Sequence, residues 1–206
     1  MAAERNRIYH RLLARSTMPP MQDLKLLEIG CGHGSDLRQF MEWGMSSCNI
    51  AGSELLPERA AATRDALPDD VRILEGDARK ITEPDESFDV VFCSTVFTSI
   101  LDDRFQEQLA DRMWRLVRPG GAILWYDFTV DNPRNPDVRG VPVKRVRELF
   151  PAPPEHVFRV TLAPPVERLV CGMSPRMYDL LNLLPFLRTH VIAWIPRPGH
   201  AFTEGA

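Results

Sequence analysis

Residues 26–37, LLEIGCGHGSDL, place Gly30, Gly32 and Gly34 at alternate positions directly behind an apolar run. Glycines this dense leave the backbone bare, so that amide groups can approach a ligand closely. A dinucleotide loop of the Gly-x-Gly-x-x-Gly type needs its third glycine three positions after the second. Here that position is Ser35. An acid, Glu28, also stands inside the run, two residues before the first glycine. It would repel a pyrophosphate and attract an ammonium or a sulfonium. Two more acids close later apolar runs: Glu54 at the end of CNIAGSE (48–54) and Asp77 at the end of VRILEGD (71–77). A carboxylate such as Glu54 can accept two hydrogen bonds from vicinal hydroxyls.

For these groups to converge, several strands must end on one edge. KLLEI (25–29), CNIAGSE, VRILEGD, FDVVFCS (88–94) and AILWYDF (122–128) read as strands. SDLRQFMEW (35–43), LPERAAATRDAL (56–67) and DRFQEQLADRMWRLV (103–117) carry helical spacing. Ser35 or Asp36 can cap the first of these helices, and Pro57 suits the first turn of the second. RPGG (118–121) reads as a breaker before the last of the five strands. The alternation predicts an α/β fold whose parallel sheet is covered on both faces, with right-handed crossovers. Twelve of the 18 prolines fall between Pro133 and Pro198, which rules out further regular βα units. The last third instead predicts a helix at 141–150, a strand at 155–163, a helix at 174–184, a closing strand at 190–196 and a frayed tail at 199–206.

The 206 residues fit one domain, and the shares of 44% hydrophobic and 26% charged residues are those of a globular protein. A net charge of −3 offers no general attraction to a phosphate backbone, so no nucleic-acid partner is expected. No apolar stretch has the length of a membrane span, and MAAERNRIYHRLLARS (1–16) lacks the apolar run of a secretory signal. Cys31, Cys48, Cys93 and Cys171 form no Cys-x-x-Cys pair, and the five histidines are dispersed. Free thiols, a cytoplasmic location and no metal site are the expectation.

The pattern Glu-x-Gly-x-Gly-x-Gly behind a first strand resembles motif I of the class I S-adenosylmethionine (SAM)-dependent methyltransferases. GDA (76–78) and RLVRPGGAILWYDF (115–128) resemble the family's later stations. The resemblance implies a Rossmann-like three-layer αβα sandwich with a seven-stranded sheet in the order 3-2-1-4-5-7-6 and an antiparallel final strand. It implies SAM as cofactor, held by Glu28, Gly30, Cys31, Gly32, Gly34, Glu54, Leu55, Asp77, Ala78 and Ser94. Asp77 would accept from the adenine amino group, and the Ala78 amide would serve the ring nitrogen. In the same reading, 1–23 is an N-terminal cover, 24–128 the cofactor core, and 129–206 the acceptor loop with the closing strand–helix–strand, all within one domain.

Methyl transfer needs an acceptor atom held in line, and an alcohol acceptor also needs a base. CSTVFTSI (93–100) lacks the Asn/Asp-Pro-Pro-aromatic motif of methyltransferases acting on base or amide nitrogens, and the acid of the metal-dependent catechol enzymes. Metal-free transfer is therefore expected. YDFTVDNPRNPDVRG (126–140) supplies candidates: Asp127 and Asp131 as bases, with Asn132, Arg134 and Arg139 as contacts to an oxygen-rich or acidic acceptor. The same stretch also reads as a long turn of solvated polar groups. His33 is a further base candidate, or simply a residue the turn tolerates. Tyr9, next to His10, is a second acceptor contact. The stretches from STVFTSILDD to DNPRNPDVRG resemble methyltransferases of bacterial glycan and natural-product clusters, which implies a sugar, glycan or natural-product hydroxyl as acceptor. An N-methyltransferase of a small amine and a non-catalytic SAM-binding subunit are the alternatives.

Overall fold

The computed structural model describes residues 2–132, 135–162 and 187–199. Helix α1 (Ala2–Leu13) precedes β1 (Leu26–Ile29), α2 (Ser35–Glu42), β2 (Ile50–Glu54), α3 (Pro57–Ala66) and β3 (Arg72–Glu75). Then follow β4 (Phe88–Ser94), α4 (Asp103–Leu116), β5 (Val117–Phe128), α5 (Val143–Leu149), β6 (His156–Leu162) and β7 (Arg188–Pro196). The seven strands form one sheet in the order β3-β2-β1-β4-β5-β7-β6. The first five are parallel, and β7 runs antiparallel to both β5 and β6. This is the order expected from the sequence. The helix expected at 174–184 lies outside the described residues, as do Arg134 and residues 200–206.

Local chemistry explains the helix starts. Asp102 caps α4 by accepting from the Phe105 N–H at 3.0 Å, and Pro57 opens α3 with its φ already helical. RPGG does end α4, but the chain continues as β5 instead of turning. The register of β4 against β5 shifts between Phe88 and Val90, and Gly120 takes a positive φ of 82°. Gly120 N–H donates to the Arg197 carbonyl, and Arg197 N–H to the Gly121 carbonyl. A Cβ on Gly121 would sit 2.4 Å from the Asp89 carbonyl oxygen. The glycines thus form a bulge inside a strand, where a breaker was expected.

Side chains alternate between the two faces of the sheet, and each face carries its own core. On one, Leu26, Phe92, Leu124, Ile192 and Trp194 pack with Tyr9, Leu12 and Leu13 of α1 and with Leu37 and Phe40 of α2. On the other, Leu27, Val91, Ile123 and Trp125 pack with Leu109 and Met113 of α4 and with Val146 and Leu149 of α5. Parity therefore puts Glu28, Ser94, Tyr126 and His190 on the α1/α2 face, and Asp127 on the α4/α5 face.

Candidate active site

Strands β1, β2, β4 and β5 end on a common edge, where ligands sit in open α/β sheets. The glycine turn leads from β1 into α2 with Gly30, Gly32 and Gly34 all at positive φ, between 54° and 70°. Their surroundings differ. A Cβ on Gly30 would lie 2.8 Å from Val96 Cγ2, and one on Gly34 would lie 2.9 Å from Leu67 Cδ1. A Cβ on Gly32 would meet nothing within 4 Å. Gly30 and Gly34 are thus packed glycines, whereas Gly32 borders open space.

Glu28 lies beneath this turn, 3% exposed, with its Oε2 buried and unpartnered. Desolvation holds its carboxyl well above the usual carboxylate range; Asp36 and Glu54 add to this, and Arg5 opposes it. Burial likewise raises Asp36, at the start of α2, against the pull of the Arg5 guanidinium and a hydrogen bond from Ser94. Arg5 Nη2 donates to Asp36 Oδ1 at 2.8 Å. A buried carboxylate without a partner is costly, and a cation beside it removes the cost.

Glu54 accepts one backbone N–H on each oxygen, from Gly32 at 3.0 Å and Leu56 at 3.1 Å, and so retains lone pairs for two hydroxyls. Beside it Leu55 is 61% exposed, an apolar surface for a flat base. Cys31 has a different task from the one expected. Its N–H donates to the Ser53 carbonyl, its thiol is pushed up to about 12 by burial, and its sulfur fills the space above Gly52. Asp77 is also engaged within the protein: Arg79 donates to it from its backbone N–H, Nε and Nη2, at 2.6–3.0 Å. That guanidinium holds the Asp77 carboxyl below its ordinary value and lies 3.7 Å from the Phe105 ring centroid. At most about one acceptor position remains on Asp77. Ala78 is half-buried beside it, against the α4 core.

Among the described residues, Asp127, Asp131, Asn132, Arg139 and His33 do not converge. Asp127 is buried on the α4/α5 face, accepting from Thr98 Oγ1 at 2.7 Å, Thr98 N–H at 3.2 Å and Phe128 N–H at 3.0 Å. Burial raises its carboxyl to about 6 against these three bonds. This geometry makes Asp127 a tie between the turn after β4 and the end of β5, in place of the base expected. Asp131 is exposed and accepts from Gly140 N–H at 2.8 Å, which closes the loop. Arg139 pairs with Asp103 at the start of α4, Asn132 is exposed, and exposed His33 sits on the outside of the glycine turn. Asp127→Asn is expected to lower stability by about 1–3 kcal/mol, because an amide nitrogen would then face the Thr98 N–H. SAM affinity should stay near wild type; melting curves with a calorimetric titration check both, and wild-type melting would remove the tie.

Convergence occurs instead on the α1/α2 face. Tyr9 is 1% exposed, its hydroxyl is buried without a partner, and its ring meets Tyr126 at 6.2 Å. The Arg5 guanidinium lies 5.5 Å from both tyrosine centroids. His190 stacks on Tyr126 at 5.2 Å with 17° between the planes, and Thr189 Oγ1 is 3.1 Å from its Nδ1. Burial, with Arg5 adding, lowers the imidazole to about 4, so it is neutral at physiological pH. The Tyr126 hydroxyl is 3.3 Å from Thr161 Oγ1. Of these residues, Tyr9 alone was singled out from the sequence. Arg5 and Tyr9 share one helix face at i, i+4 spacing, and that signal could have found Arg5.

A family model described as a methyltransferase domain matches residues 27–125. Those residues run from the first strand through Trp125, and they contain the glycine turn, Glu54 and Asp77. Over these residues, just under half of the chain, it is similar to the class I SAM-dependent methyltransferases. A sterol 24-C-methyltransferase of Neurospora crassa is 28% identical over 131 residues, 57% of this chain and 33% of that protein. A demethylmenaquinone methyltransferase of Deinococcus radiodurans is 31% identical over 107 residues, 50% of this chain and 43% of that one. The aligned regions thus span a third to under half of these relatives. A SAM-dependent methyltransferase structure from Mesorhizobium loti superposes with a TM-score of 0.63 at 18% identity, covering 91% of this chain and 95% of that one, which shows a shared methyltransferase fold. Among the described residues no helix is long and apolar enough to cross a membrane, and no three His, Cys, Asp or Glu side chains are grouped to hold a metal.

The family implies SAM, and the site fits it. Glu28, with its unpartnered Oε2, and Asp36 would face an ammonium, Gly32 borders open space, and Glu54 beside exposed Leu55 would accept from a diol. The adenine station fits less freely, because Arg79 occupies Asp77.

Proposed function

We propose that this methyltransferase catalyses metal-free transfer of a methyl group to a small-molecule acceptor held beneath α1. The observation that carries this reading is the continuity of one sheet face: Glu28 and Ser94 at the ends of β1 and β4 lead directly to Tyr126, His190 and the α1 residues Arg5 and Tyr9. When bound, SAM supplies an electrophilic methyl carbon. Arg5, whose guanidinium lies 5.5 Å from the centroids of the buried Tyr9 and Tyr126 rings, supports developing negative charge on the acceptor. Neutral His190, oriented by Thr189, offers Nε2 for a proton at the acceptor atom. The grouping of a neutral imidazole with a guanidinium beyond the cofactor residues also favours catalysis over a non-catalytic SAM-binding subunit.

The acceptor we favour is a hydroxyl-bearing natural product with a flat or apolar body. The aromatic wall, together with exposed Leu55, Leu101 and Val130 on loops at the same sheet edge, supports this over a bare sugar or a small amine. A second reading, methylation at carbon, is supported by the sterol 24-C-methyltransferase among the relatives. Thermal shift tests the cofactor step: SAM at about 100 times its Kd should stabilise the fold by about 2.7 kcal/mol, and NAD should not. Stabilisation by NAD alone would sink the reading. Mass spectrometry after incubation with phenolic, quinol, sterol and sugar acceptors then identifies the product. EDTA should leave its yield unchanged, and product from sugars alone would move the acceptor site away from the aromatic wall.

A further inference from the structure

A groove of about 620 Å³ runs along the outer side of α1, between that helix and the edge strand β6. Four arginines line it, Arg7, Arg11, Arg159 and Arg188, against a single acid, Glu4. Arg188 pairs with Glu4 at 3.4 Å. Arg7, Arg11 and Arg159 are exposed and have no acidic partner among the described residues. This is a strong local excess of cations on a chain whose net charge is −3. Between the arginines the lining is apolar: Ile8 and Phe158 rest on the core, and Val157 is 38% exposed. Helical spacing explains the arrangement. Arg5 and Tyr9 turn inward to the site, while Arg7 and Arg11, one turn apart, turn outward.

We infer that this groove docks the protein on an anionic lipid surface. Charge complementarity carries the inference: unpaired guanidiniums suit lipid phosphates, and the apolar strip between them suits the acyl boundary just below. Arginines from two separate elements border it, Arg7 and Arg11 from α1 and Arg159 from the edge strand β6, as an extended charged surface requires. Docking there would press the outer side of α1 to the bilayer while its inner side roofs the acceptor site, which gives an apolar acceptor a short route out of the lipid. The groove lies outside the residues assigned to cofactor and acceptor, so docking stands or falls separately from methyl transfer.

The test is co-sedimentation of the full chain with phosphatidylcholine vesicles and with mixed phosphatidylcholine–phosphatidylglycerol vesicles, at low and high salt. We expect binding to the mixed vesicles alone, reduced by salt. Each arginine near the surface is worth about fivefold, so R7Q/R11Q/R159Q should bind about a hundredfold more weakly, while R7K/R11K/R159K keeps binding. SAM affinity of both variants should match wild type and reports that they are folded. If the triple glutamine variant does not fold, Arg159→Gln alone should still weaken binding about fivefold. Equal binding to neutral vesicles, no binding to either, or an unchanged glutamine variant would overturn the inference. So would displacement of the bound protein by inorganic phosphate or poly-glutamate at charge parity with the lipid, which would assign the groove to a soluble anion or an acidic protein segment.

Discussion

Replacing Glu28 by glutamine is expected to weaken SAM binding by about 10- to 150-fold while making the ligand-free protein more stable at neutral pH. Burial raises the Glu28 carboxyl, so the folded chain holds that proton more tightly than the unfolded chain does. The stability this gives is fully present below the unfolded pKa and is lost as pH rises through the raised folded value. Glutamine cannot ionise, so the melting temperature of the variant should fall less with rising pH than that of wild type. Pairing with an ammonium requires the carboxylate form, and binding should therefore expel a proton. Calorimetry in buffers of different ionisation enthalpy should show fewer protons released by the variant than by wild type. Unchanged affinity together with unchanged proton release would take Glu28 out of the ammonium role.

The second large effect separates two glycines of one turn. Both Gly30 and Gly32 have positive φ, so alanine at either costs about 1–2 kcal/mol of stability. Gly30→Ala also drives a Cβ to 2.8 Å from Val96 Cγ2, and stiff, β-branched Val96 cannot simply swing away. Its total cost should reach about 2–5 kcal/mol, visible as an early melt. Gly32→Ala meets no protein atom, so its melting point should fall by only about 2–8 °C. Its methyl group projects into the open space left to the cofactor, and SAM affinity should drop by about 10- to 100-fold. A Gly32→Ala protein that binds SAM normally would place the cofactor elsewhere along the turn.

These two predictions rest on features that the sequence displays well. The glycine turn, Glu28 and Glu54 are set by local order, since each sits at the end of an apolar run whose partner strands follow by short crossovers. The acceptor side was less legible, because it depends on strand parity and on distant pairing. Asp127 and Tyr126 are neighbours in sequence, but the pleat sends the carboxylate to the α4/α5 face and the phenol to the α1/α2 face. His190 arrives opposite Phe128 by antiparallel pairing across 62 positions, for which no short pattern exists. Arg79 was hidden for another reason: a side chain two residues beyond Asp77 folds back onto it, and nothing in GDA announces that. Pro-Gly-Gly read as a stop because the bulge it forms is visible only with Asp89 and Arg197 beside it.

Helix α1 packs early on α2, through Arg5 and Asp36, but several of its partners come late. Tyr9 packs on Phe92 and Tyr126, and Arg15 just beyond the helix bonds Glu155, 140 residues further along. At ribosomal rates of about 5–20 residues per second, roughly 7–30 s separate the emergence of Arg15 from that of Glu155. During that interval Tyr9, Leu12 and Leu13 have no completed sheet to cover and remain available to chaperones or to one another. Closing so long a loop is also entropically unfavourable until the strands are in place. The contacts of α1 with β5, β6 and β7 are thus among the last to form, whereas its contact with α2 through Arg5 and Asp36 can form as soon as that helix emerges.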